Sequence, residues 1–330
     1  MENFDFSVLC KILKSGGTVL VAGHENPDGD CMGSMSAIAD IFNSCGWDVV
    51  FYSSDKIPYN FRFLNYPGKW ISSPPVNEPD LFIVVDCGEP VRMGSELMNF
   101  IKKSQINSFL FDHHKEYSDR NRYFYTQSFC DPKASASAVI IYRFIKECGF
   151  KMTSSLAKSL YAAIMSDTGG LRYSNTDRET FSIMSDLVSF VDPWQMASHM
   201  WENVPEKQIR LLGEVLTDMD IIAEGRAAAM EIKKEQLDKY GLSSDHIDKF
   251  VNYARSIEGV ELAMRFREME PDFYKVSMRS RGNIDASLIA HDMGGGGHKN
   301  AAGFIFRGSY EAGLRLTEKI INEKLKKIRA

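Results

Sequence analysis

Three short apolar runs, each followed at once by acidic or histidine residues, constrain this chain more than any other feature. TVLVAG (18–23), DLFIVV (80–85) and INSFLF (106–111) have the length and the β-branched or aromatic content of buried strands. The carboxyl ends of parallel strands meet at one edge of an open sheet, and ligands bind there. The pattern therefore predicts a doubly wound α/β domain in which the residues after the three runs gather at one edge.

The polar residues in question form four clusters along the chain. They are His24, Asp28 and Asp30 in HENPDGD, Asp86 in VVDCG, Asp112, His113 and His114 in FDHHK, and Asp167 in SDTGG. Carboxylate oxygens and imidazole nitrogens suit a pair of hard divalent cations such as Mn²⁺ or Mg²⁺. A lone Asp after a strand is more often a helix cap or a turn residue. Independent capping does not readily produce the whole set in this order, so the sequence predicts a two-metal hydrolase.

The fourth cluster follows a predicted helix rather than a strand. SSLAKSLYAAIM (154–165) has apolar residues at helical spacing, and Gly169 and Gly170 then break the element. We expect Asp167 on a loop after this helix, leaning over the same edge of the sheet.

Composition and charge limit the class of protein. The chain has 330 residues, of which 44% are hydrophobic and 25% charged, as in an ordinary two-domain soluble protein. Its net charge of -5 argues against a broad basic surface for long duplex nucleic acid. No apolar run approaches the length of a membrane span, and the six cysteines lack metal-type spacing. We therefore expect reduced thiols, a cytoplasmic location and no membrane partner.

We predict two domains joined by helices. Residues 1–190 should form the doubly wound domain, and residues 191–222 a helical connector interrupted by prolines. Residues 223–330 should form a smaller α/β domain with a hairpin around Glu270 and Pro271 and a lysine-rich helix at its end.

The four glycines from Gly294 to Gly297 are the only unusual local composition. A glycine after a helix can be merely a cap. Four glycines exceed what capping needs, and without side chains their N–H groups can approach a phosphate closely. His298 and Lys299 follow and add side-chain donors. The tract therefore predicts a phosphate-binding loop.

These residues resemble a known family. HENPDGD, VVDCG, FDHHK and SDTGG look like the four ordered motifs of the DHH phosphoesterases, and GGGGHKNAAGF (294–304) resembles the signature of the DHH-associated domain. The resemblance covers almost the whole chain. Within the family, the layout is most similar to small oligoribonucleases that degrade very short RNA and dephosphorylate 3′-phosphoadenosine 5′-phosphate (pAp).

The resemblance implies a role for each residue of the four clusters. His24 and Asp28 would hold one Mn²⁺, Asp30, His113 and Asp167 the second, and Asp86 would bridge the two; Mg²⁺ or Co²⁺ could substitute. A bridging carboxylate offsets the repulsion between cations roughly 3.5–4 Å apart. Asp112 would orient an imidazole, and His114 would donate to the substrate or make only a structural hydrogen bond.

A second set of residues would bind substrate, again by resemblance. It comprises Arg279, Arg281, Asn283, Gly295, Gly296, Gly297, His298 and Asn300. An arginine fork suits bidentate contact with phosphate, although alternating arginines on a strand can simply face solvent. Two departures bear on substrate preference, since Val139 stands where these enzymes commonly have Glu, and the loop after Asp167 reads GGLRYSNT.

The expected activity is hydrolysis of short RNA, of linear dinucleotides such as pApA to nucleoside 5′-monophosphates, and of pAp to AMP. A cyclic-dinucleotide phosphodiesterase is the nearest alternative, followed by a pyrophosphatase or exopolyphosphatase. The alternative of another class is a nucleotide-sensing module that keeps its metals for structure, for which loss of a ligand would be expected. The sequence leaves open whether the chain forms a homodimer.

Overall fold

In the computed structural model, the first part of the chain folds around one parallel sheet. The structure describes residues 4–114 and 124–329, with all side chains except those of His298 and residues 324–329. The strands found in this part of the chain are β1 (Gly17–Ala22), β2 (Trp47–Tyr52), β3 (Lys69–Ile71), β4 (Leu81–Val85), β5 (Ser108–Asp112) and β6 (Gln127–Cys130). All neighbouring pairs are parallel, in the order β3-β2-β1-β4-β5-β6. This order confirms the predicted doubly wound fold.

The strand order reverses beside β1. The chain runs outward from β1 to β3 and then returns to place β4 on the other side of β1. In open parallel sheets such a reversal creates a crevice at the carboxyl ends of the two central strands. His24 comes two residues after β1, and Asp86 directly follows β4. The topology therefore places both residues at the same crevice.

Helices cover both faces of this sheet. They are α1 (Ser7–Ile12), α2 (Gly29–Ser44), α3 (Ser95–Lys103), α4 (Ser137–Cys148), α5 (Ser154–Asp167), α6 (Arg178–Leu187) and α7 (Pro193–Ala197). Val19 and Val21 of β1 pack into the core formed with α2, α4 and α5, whereas Leu20 and Ala22 pack into the core formed with α3. The continuous apolar composition of the strand follows from burial on both faces.

The second part of the chain forms a separate mixed sheet. Its elements are α8 (Glu206–Thr217), β7 (Asp220–Ile222), β8 (Ala227–Ile232), α9 (Lys234–Tyr240), α10 (Phe250–Ser256), β9 (Leu262–Glu270), β10 (Phe273–Ser280), α11 (Ala286–Asp292), β11 (Gly296–His298), β12 (Ala301–Arg307) and α12 (Tyr310–Arg329). The strand order is β11-β12-β10-β9-β8-β7, and only β8 and β9 pair in parallel. The predicted hairpin is formed by β9 and β10, which turn at Pro271 and Asp272.

The chain divides into two compact units. Unit 1 is Met1–Asn203 and unit 2 is Val204–Ala330. Unit 1 contains the parallel sheet, and unit 2 contains the mixed sheet. The predicted α/β architecture of the second region is thus present in unit 2.

The cysteines correct one expectation. Cys10 in α1 and Cys148 at the end of α4 form a disulfide, with Cα atoms 5.9 Å apart, so the six thiols are not all reduced. Their separation of 138 residues gave no sign of the pairing in the sequence. Cys31 and Cys87 are buried free thiols, in line with a packing role. No helix among the described residues has the length and apolarity needed to span a membrane.

Candidate metal centre

The four clusters meet at the carboxyl edge of the parallel sheet. His24, Asp86 and His113 follow β1, β4 and β5, while Asp30 lies in the first turn of α2 and Asp167 ends α5. Their side chains approach one another within 4 Å in successive pairs. The structure thus brings together the residues that the sequence placed on separate elements.

The placement of Asp167 differs from the prediction. Asp167 is the last residue of α5 rather than a loop residue. The helix extends this far because the N–H of Thr168 still donates to the carbonyl of Ile164. Gly169 and Gly170 then adopt positive φ angles of 58° and 74° and end the helix. The sequence prediction ended the helix two residues too early.

Asp86 occupies the centre of the cluster. Its Oδ2 lies 3.4 Å from Nε2 of His24, and its Oδ1 lies 3.7 Å from Nε2 of His113. Asp86 has a φ of 53°, a left-handed conformation that non-glycine residues rarely adopt. Its N–H donates to Phe111 of the neighbouring strand at 2.9 Å, and Ser137 Oγ donates to Oδ1 at 3.2 Å. These contacts hold the carboxylate with one oxygen toward each imidazole.

Hydrogen bonds to backbone carbonyls fix the two imidazoles next to Asp86. Nδ1 of His24 is 2.8 Å from the carbonyl of Glu25, and Nδ1 of His113 is 3.2 Å from the carbonyl of Ala134. Because a carbonyl oxygen only accepts, Nδ1 carries the proton in both rings. Nε2 then faces the carboxylates and either carries a second proton or offers its lone pair to a cation. Metal-binding histidines in proteins are held in this way.

The remaining carboxylates divide between the two imidazoles. Asp28 Oδ1 is 3.9 Å from Nε2 of His24, and donor atoms of His24, Asp28 and Asp86 all lie within 4.8 Å of one another. Asp30 Oδ2 and Asp167 Oδ2 are 3.8 and 3.5 Å from Nε2 of His113. Oxygen and imidazole donors in two sets that share Asp86 fit two hard divalent cations.

The pKa shifts of the clustered residues also indicate a site for cations. Burial, followed by the charge of Asp86, raises the pKa of Asp30 well above its usual value. Burial also raises the pKa of Asp167 to about 7, against the opposing effect of His113. Burial lowers the pKa of His113, but the carboxylates led by Asp167 outweigh it and raise that pKa to about 10. Carboxylates this close repel one another unless cations or protons lie between them.

Asp112 and His114 form a buried pair beside the proposed ligands. Nδ1 of His114 donates to Asp112 Oδ1 at 2.6 Å, and Oδ2 of Asp112 has no hydrogen-bond partner in the described part of the chain. Donor atoms of Asp86, His113 and His114 also lie within 4.8 Å of one another. The Asp112 hydrogen bond already occupies Nδ1 of His114, which favours His113 as the ligand and His114 as a neighbouring donor.

Three residues around the centre had no role in the sequence prediction. Ser137 donates its N–H to Asp30 Oδ2 at 2.6 Å as well as its hydroxyl to Asp86. Asn175, in the GGLRYSNT loop, donates Nδ2 to the carbonyl of Asp167 at 3.2 Å. Arg92 lies beside His114, with Nη1 3.5 Å from Nε2. These residues stand at no recognisable sequence spacing from the clusters, because they reach the centre only through the tertiary fold.

Val139, the first departure from the expected pattern, is a core residue. It lies in α4, is 1% exposed and belongs to the same hydrophobic core as Ile140 and Ile141. An apolar residue is what this position requires in the present fold, because an unpaired buried carboxylate would be costly.

The glycine tract of unit 2 is shaped by close strand packing. A Cβ on Gly295 would lie 2.1 Å from the carbonyl oxygen of Gly303, and one on Gly297 would lie 2.5 Å from Cα of Ala302. Gly297 also has a φ of 140°. A Cβ on Gly296, by contrast, would meet no atom within 4 Å. Packing against β12 therefore accounts for two of the glycines and leaves Gly296 open to a ligand.

The other predicted substrate residues of unit 2 are mostly at its surface. Asn283, Lys299 and Asn300 are exposed, and the side chain of His298 is outside the described part of the structure. Arg279, at the end of β10, donates Nη1 to the carbonyl of Met278 at 2.9 Å.

Arg281 is engaged within its own unit. Its Nε donates to the carbonyl of Val260 at 2.5 Å, and its Nη2 donates to the carbonyl of Ile257 at 2.8 Å. These bonds tie Arg281 to the segment between α10 and β9. The substrate role predicted for it would have to use the remaining guanidinium donors.

Known proteins resemble this chain in sequence over both units. The model of the DHH family, N-terminal domain, matches residues 18–164, and the model of the DHHA1 domain matches residues 225–327. The bifunctional oligoribonuclease and PAP phosphatase NrnA of Thermus thermophilus is 29% identical over 306 residues, covering 91% of this chain and 88% of that protein. The probable bifunctional oligoribonuclease and PAP phosphatase NrnA of Streptococcus mutans is 26% identical over 318 residues, covering 90% and 92%.

A solved structure resembles the fold. The crystal structure of an exopolyphosphatase-related protein from Bacteroides fragilis matches with a TM-score of 0.88 and covers 98% of this chain and 97% of that one. The sequence identity is 23%, so the likeness concerns the fold alone.

Proposed function

This chain belongs to the DHH phosphoesterase family and is a hydrolase, and from that premise we propose that it uses two Mn²⁺ ions to cleave phosphoesters of very short RNA. The proposed substrates are linear dinucleotides such as pApA, oligoribonucleotides of a few residues, and pAp. The products would be nucleoside 5′-monophosphates and AMP. The similar proteins from Thermus thermophilus and Streptococcus mutans are named as oligoribonuclease and PAP phosphatase, the second as a probable one.

The central observation is the position of Asp86. One oxygen of this carboxylate faces the His24 imidazole and the other faces the His113 imidazole. A carboxylate held between two imidazole nitrogens in this manner fits a bridging ligand. We therefore propose His24 and Asp28 for one ion, Asp30, His113 and Asp167 for the second, and Asp86 for both.

Two bound ions would supply an activated water near neutral pH and neutralise charge on the phosphoryl group. The protein's own residues have distinct tasks. The carbonyls of Glu25 and Ala134 hold the two ligand imidazoles in one tautomer. Asp112 orients His114, whose Nε2 side would face the substrate phosphate or the leaving oxygen. Attack of water on phosphorus breaks one P–O bond, and the leaving oxygen takes up a proton.

Substrate length is expected to be short. The chain has a net charge of -5, and the proposed substrate residues from Arg279 to Asn300 include only a few cations. Affinity for long nucleic acid depends on many phosphate contacts, whereas one or two phosphates need only a local site. We propose that efficiency is highest for about two to five nucleotides and that binding has a shallow salt dependence.

The division of labour follows the two units. The proposed metal ligands all lie in unit 1, and the proposed substrate residues all lie in unit 2. We propose the functional boundaries 1–190, 191–222 and 223–330, a cytoplasmic enzyme, and a homodimer as a state to be tested. A fragment of residues 1–203 should then bind Mn²⁺ but fail to turn over pApA.

A cyclic-dinucleotide phosphodiesterase is the second candidate, since it would use the same metal centre. A product assay with Mn²⁺ on pAp, pApA, cyclic di-AMP and oligoribonucleotides of increasing length distinguishes the two. Rapid release of AMP from pAp and pApA supports our proposal. Preference for cyclic di-AMP, or for a long strand, contradicts it, and metal binding without turnover of any of these would indicate a sensing module.

Metal binding should release protons. In the protein without cations, burial lowers the pKa of His24, but its hydrogen bond to Asp86 and the charges of Asp28 and Asp86 together raise that pKa to about 9. The pKa of His113 is raised to about 10. Both rings therefore bind protons at pH 7, and a metal must displace them. Apparent Mn²⁺ affinity should rise with pH between 6 and 9, and titration calorimetry in buffers of different ionisation enthalpy would measure the protons released.

A further inference from the structure

Arg92 is held beside the metal centre by its backbone. It lies in a short 3₁₀ turn, Pro90–Met93, that follows β4. The carbonyl of Arg92 accepts from the N–H of Glu25 at 2.7 Å, and the N–H of Arg92 donates to Glu89 at 2.9 Å. Glu25 directly follows His24, so the turn is attached to the loop that carries one proposed ligand. Arg92 therefore has a fixed position relative to the centre.

The side chain of Arg92 reaches the His114 ring. Nη1 of Arg92 is 3.5 Å from Nε2 of His114, whereas Asp112 is bonded to Nδ1 of the same ring. The backbone of Arg92 is bonded to Glu25, the neighbour of His24, and its side chain lies beside His114. Arg92 thus contacts segments that carry residues from both ends of the centre.

No carboxylate in the described part of the chain explains the position of this cation. Within residues 4–114 and 124–329, no ion pair joins Arg92 to an acidic side chain within 4.0 Å. Arg143, in the same unit, shows the contrast, because it pairs with Asp131 at 2.7 Å and Glu179 at 2.6 Å. A cation that only neutralised the acidic cluster would be expected to contact one of its carboxylates.

A guanidinium at this point would also weaken the binding of metal ions by repulsion. Its presence is useful if an anion arrives between it and the cations, since arginine presents two parallel donors to a phosphoryl group. The charge that develops on phosphoryl oxygens during hydrolysis is stabilised by such preplaced donors. The position of Arg92 fits binding of a phosphoryl group and stabilisation of the charge on its oxygens.

We propose that Arg92 is a catalytic residue whose guanidinium grips the oxygens of the phosphoryl group under attack, beside Nε2 of His114. This inference rests on the proposed phosphoesterase function and adds a residue to it. The ligand class is a phosphomonoester or phosphodiester anion, and free inorganic phosphate should bind at the same place.

The test compares Arg92→Gln, Arg92→Lys and Arg92→Ala with the control Arg178→Gln. Arg178 is an exposed arginine at the start of α6 in the same unit. We would measure kcat/KM on pAp, the dissociation constant of inorganic phosphate for the Mn²⁺-loaded protein, and the number of Mn²⁺ bound. Free guanidinium ion would be added to Arg92→Ala to test for chemical rescue.

Loss of a charged hydrogen bond costs about 1.5–3 kcal/mol, so Arg92→Gln should lose about 10- to 100-fold in kcat/KM and weaken phosphate binding about 10-fold. Both Mn²⁺ ions should remain, Arg92→Lys should keep part of the activity, and guanidinium should restore part of it to Arg92→Ala. Arg178→Gln should match the wild type.

Two results would overturn the inference. One is activity and phosphate affinity of Arg92→Gln within about threefold of wild type, well under the change that a charged hydrogen bond predicts. The other is loss of Mn²⁺ together with activity and no rescue by guanidinium, which would give Arg92 a structural role. A wild type inactive on every phosphoester would refute the proposed function instead, and phosphate binding would still test Arg92.

Discussion

The proposed metal centre of unit 1 and the glycine-rich region of unit 2 are built in opposite ways. In unit 1, Asp30, Asp86 and Asp112 are at most 2% exposed, and hydrogen bonds fix their carboxylates. In unit 2, Gly296 and Asn300 are exposed and lie on short strands and turns. Residues that perform chemistry need a fixed geometry, whereas residues that capture a variable substrate end can remain accessible.

The difference also affects how mutations should act. A change in unit 1 should alter the chemical step or the metals, because the side chains there depend on one another. A change in unit 2 should alter substrate affinity with little effect on the step itself. Each of the following experiments would break or sharpen this contrast.

The largest effect should come from Asp86→Ala, which removes the carboxylate proposed for both ions. We expect activity in saturating Mn²⁺ to fall more than about 100-fold, the upper range for loss of an outer partner, and more than in Asp28→Ala. Bound Mn²⁺ should drop below two per chain. Turnover of pApA and metal analysis after dialysis would measure both, and near-normal turnover by Asp86→Ala would refute the bridging role.

Asp112→Asn should have the next largest effect. Asp112 accepts from His114 at 2.6 Å, and partners of this type typically contribute about 10- to 100-fold in activity or metal affinity. We expect kcat to fall within this range while the fold is kept. Asp48→Asn, at an exposed position of β2, is the matched control. Equal kcat values for the two variants would show that the orientation of His114 does not matter.

Arg279→Ala tests unit 2. If Arg279 holds a substrate phosphate, its loss should raise KM for pApA about 10-fold and change kcat little, since a charged hydrogen bond contributes about 1.5–3 kcal/mol. Arg281→Ala should mainly lower thermal stability, because Arg281 donates to two backbone carbonyls. A larger rise in KM for Arg281→Ala than for Arg279→Ala would reverse the assignment.

The smallest effect concerns stability and its pH dependence. Asp131 is 1% exposed and pairs with Arg143, whereas the Arg226–Glu261 pair of unit 2 is about one quarter exposed. Arg143 retains Glu179, so Asp131→Asn should lower the free energy of unfolding by about 1–3 kcal/mol at pH 7. Glu261→Gln should cost less than about 1 kcal/mol.

The pH dependence of Asp131 has a definite sign. Burial raises the pKa of Asp131, but the hydrogen bonds from Arg143 and from the N–H of Lys133, together with the charge of Arg143, lower it below the unfolded value of 3.8. The contribution of Asp131 is therefore complete well above pH 4 and disappears as pH falls through the folded pKa. Denaturant unfolding of wild type and Asp131→Asn at pH 7 and pH 3 should show the difference shrinking. A constant difference would exclude the ion pair as its source.

Much of the fold could be predicted because its signals are local. The apolar run before Asp86 became β4, and the helical spacing of residues 154–165 became α5 (Ser154–Asp167). The edge strands β3 and β6 were missed, since three or four residues carry too little periodicity.

The principal residues of the site could be predicted from the sequence, whereas the residues around them could not. Four clusters at strand or helix ends could be recognised from their order in the chain. Arg92, Ser137 and Asn175 could not, because each contacts the centre through tertiary packing. The same reason hid the pairing of Cys10 with Cys148, whose separation is 138 residues.

Asp30 at the start of α2 and Asp167 at the end of α5 bring two packed helices to the same cluster of negative charge. Bound cations would join one end of the helix pair, while the opposite end is held by apolar packing and by the hydrogen bond from Ser155 to Asp40. Removing them with a chelator should leave the carboxylates repelling one another across that end. Amide hydrogen exchange should then quicken in the first turn of α2 and the last turn of α5, with the far ends of both helices still protected.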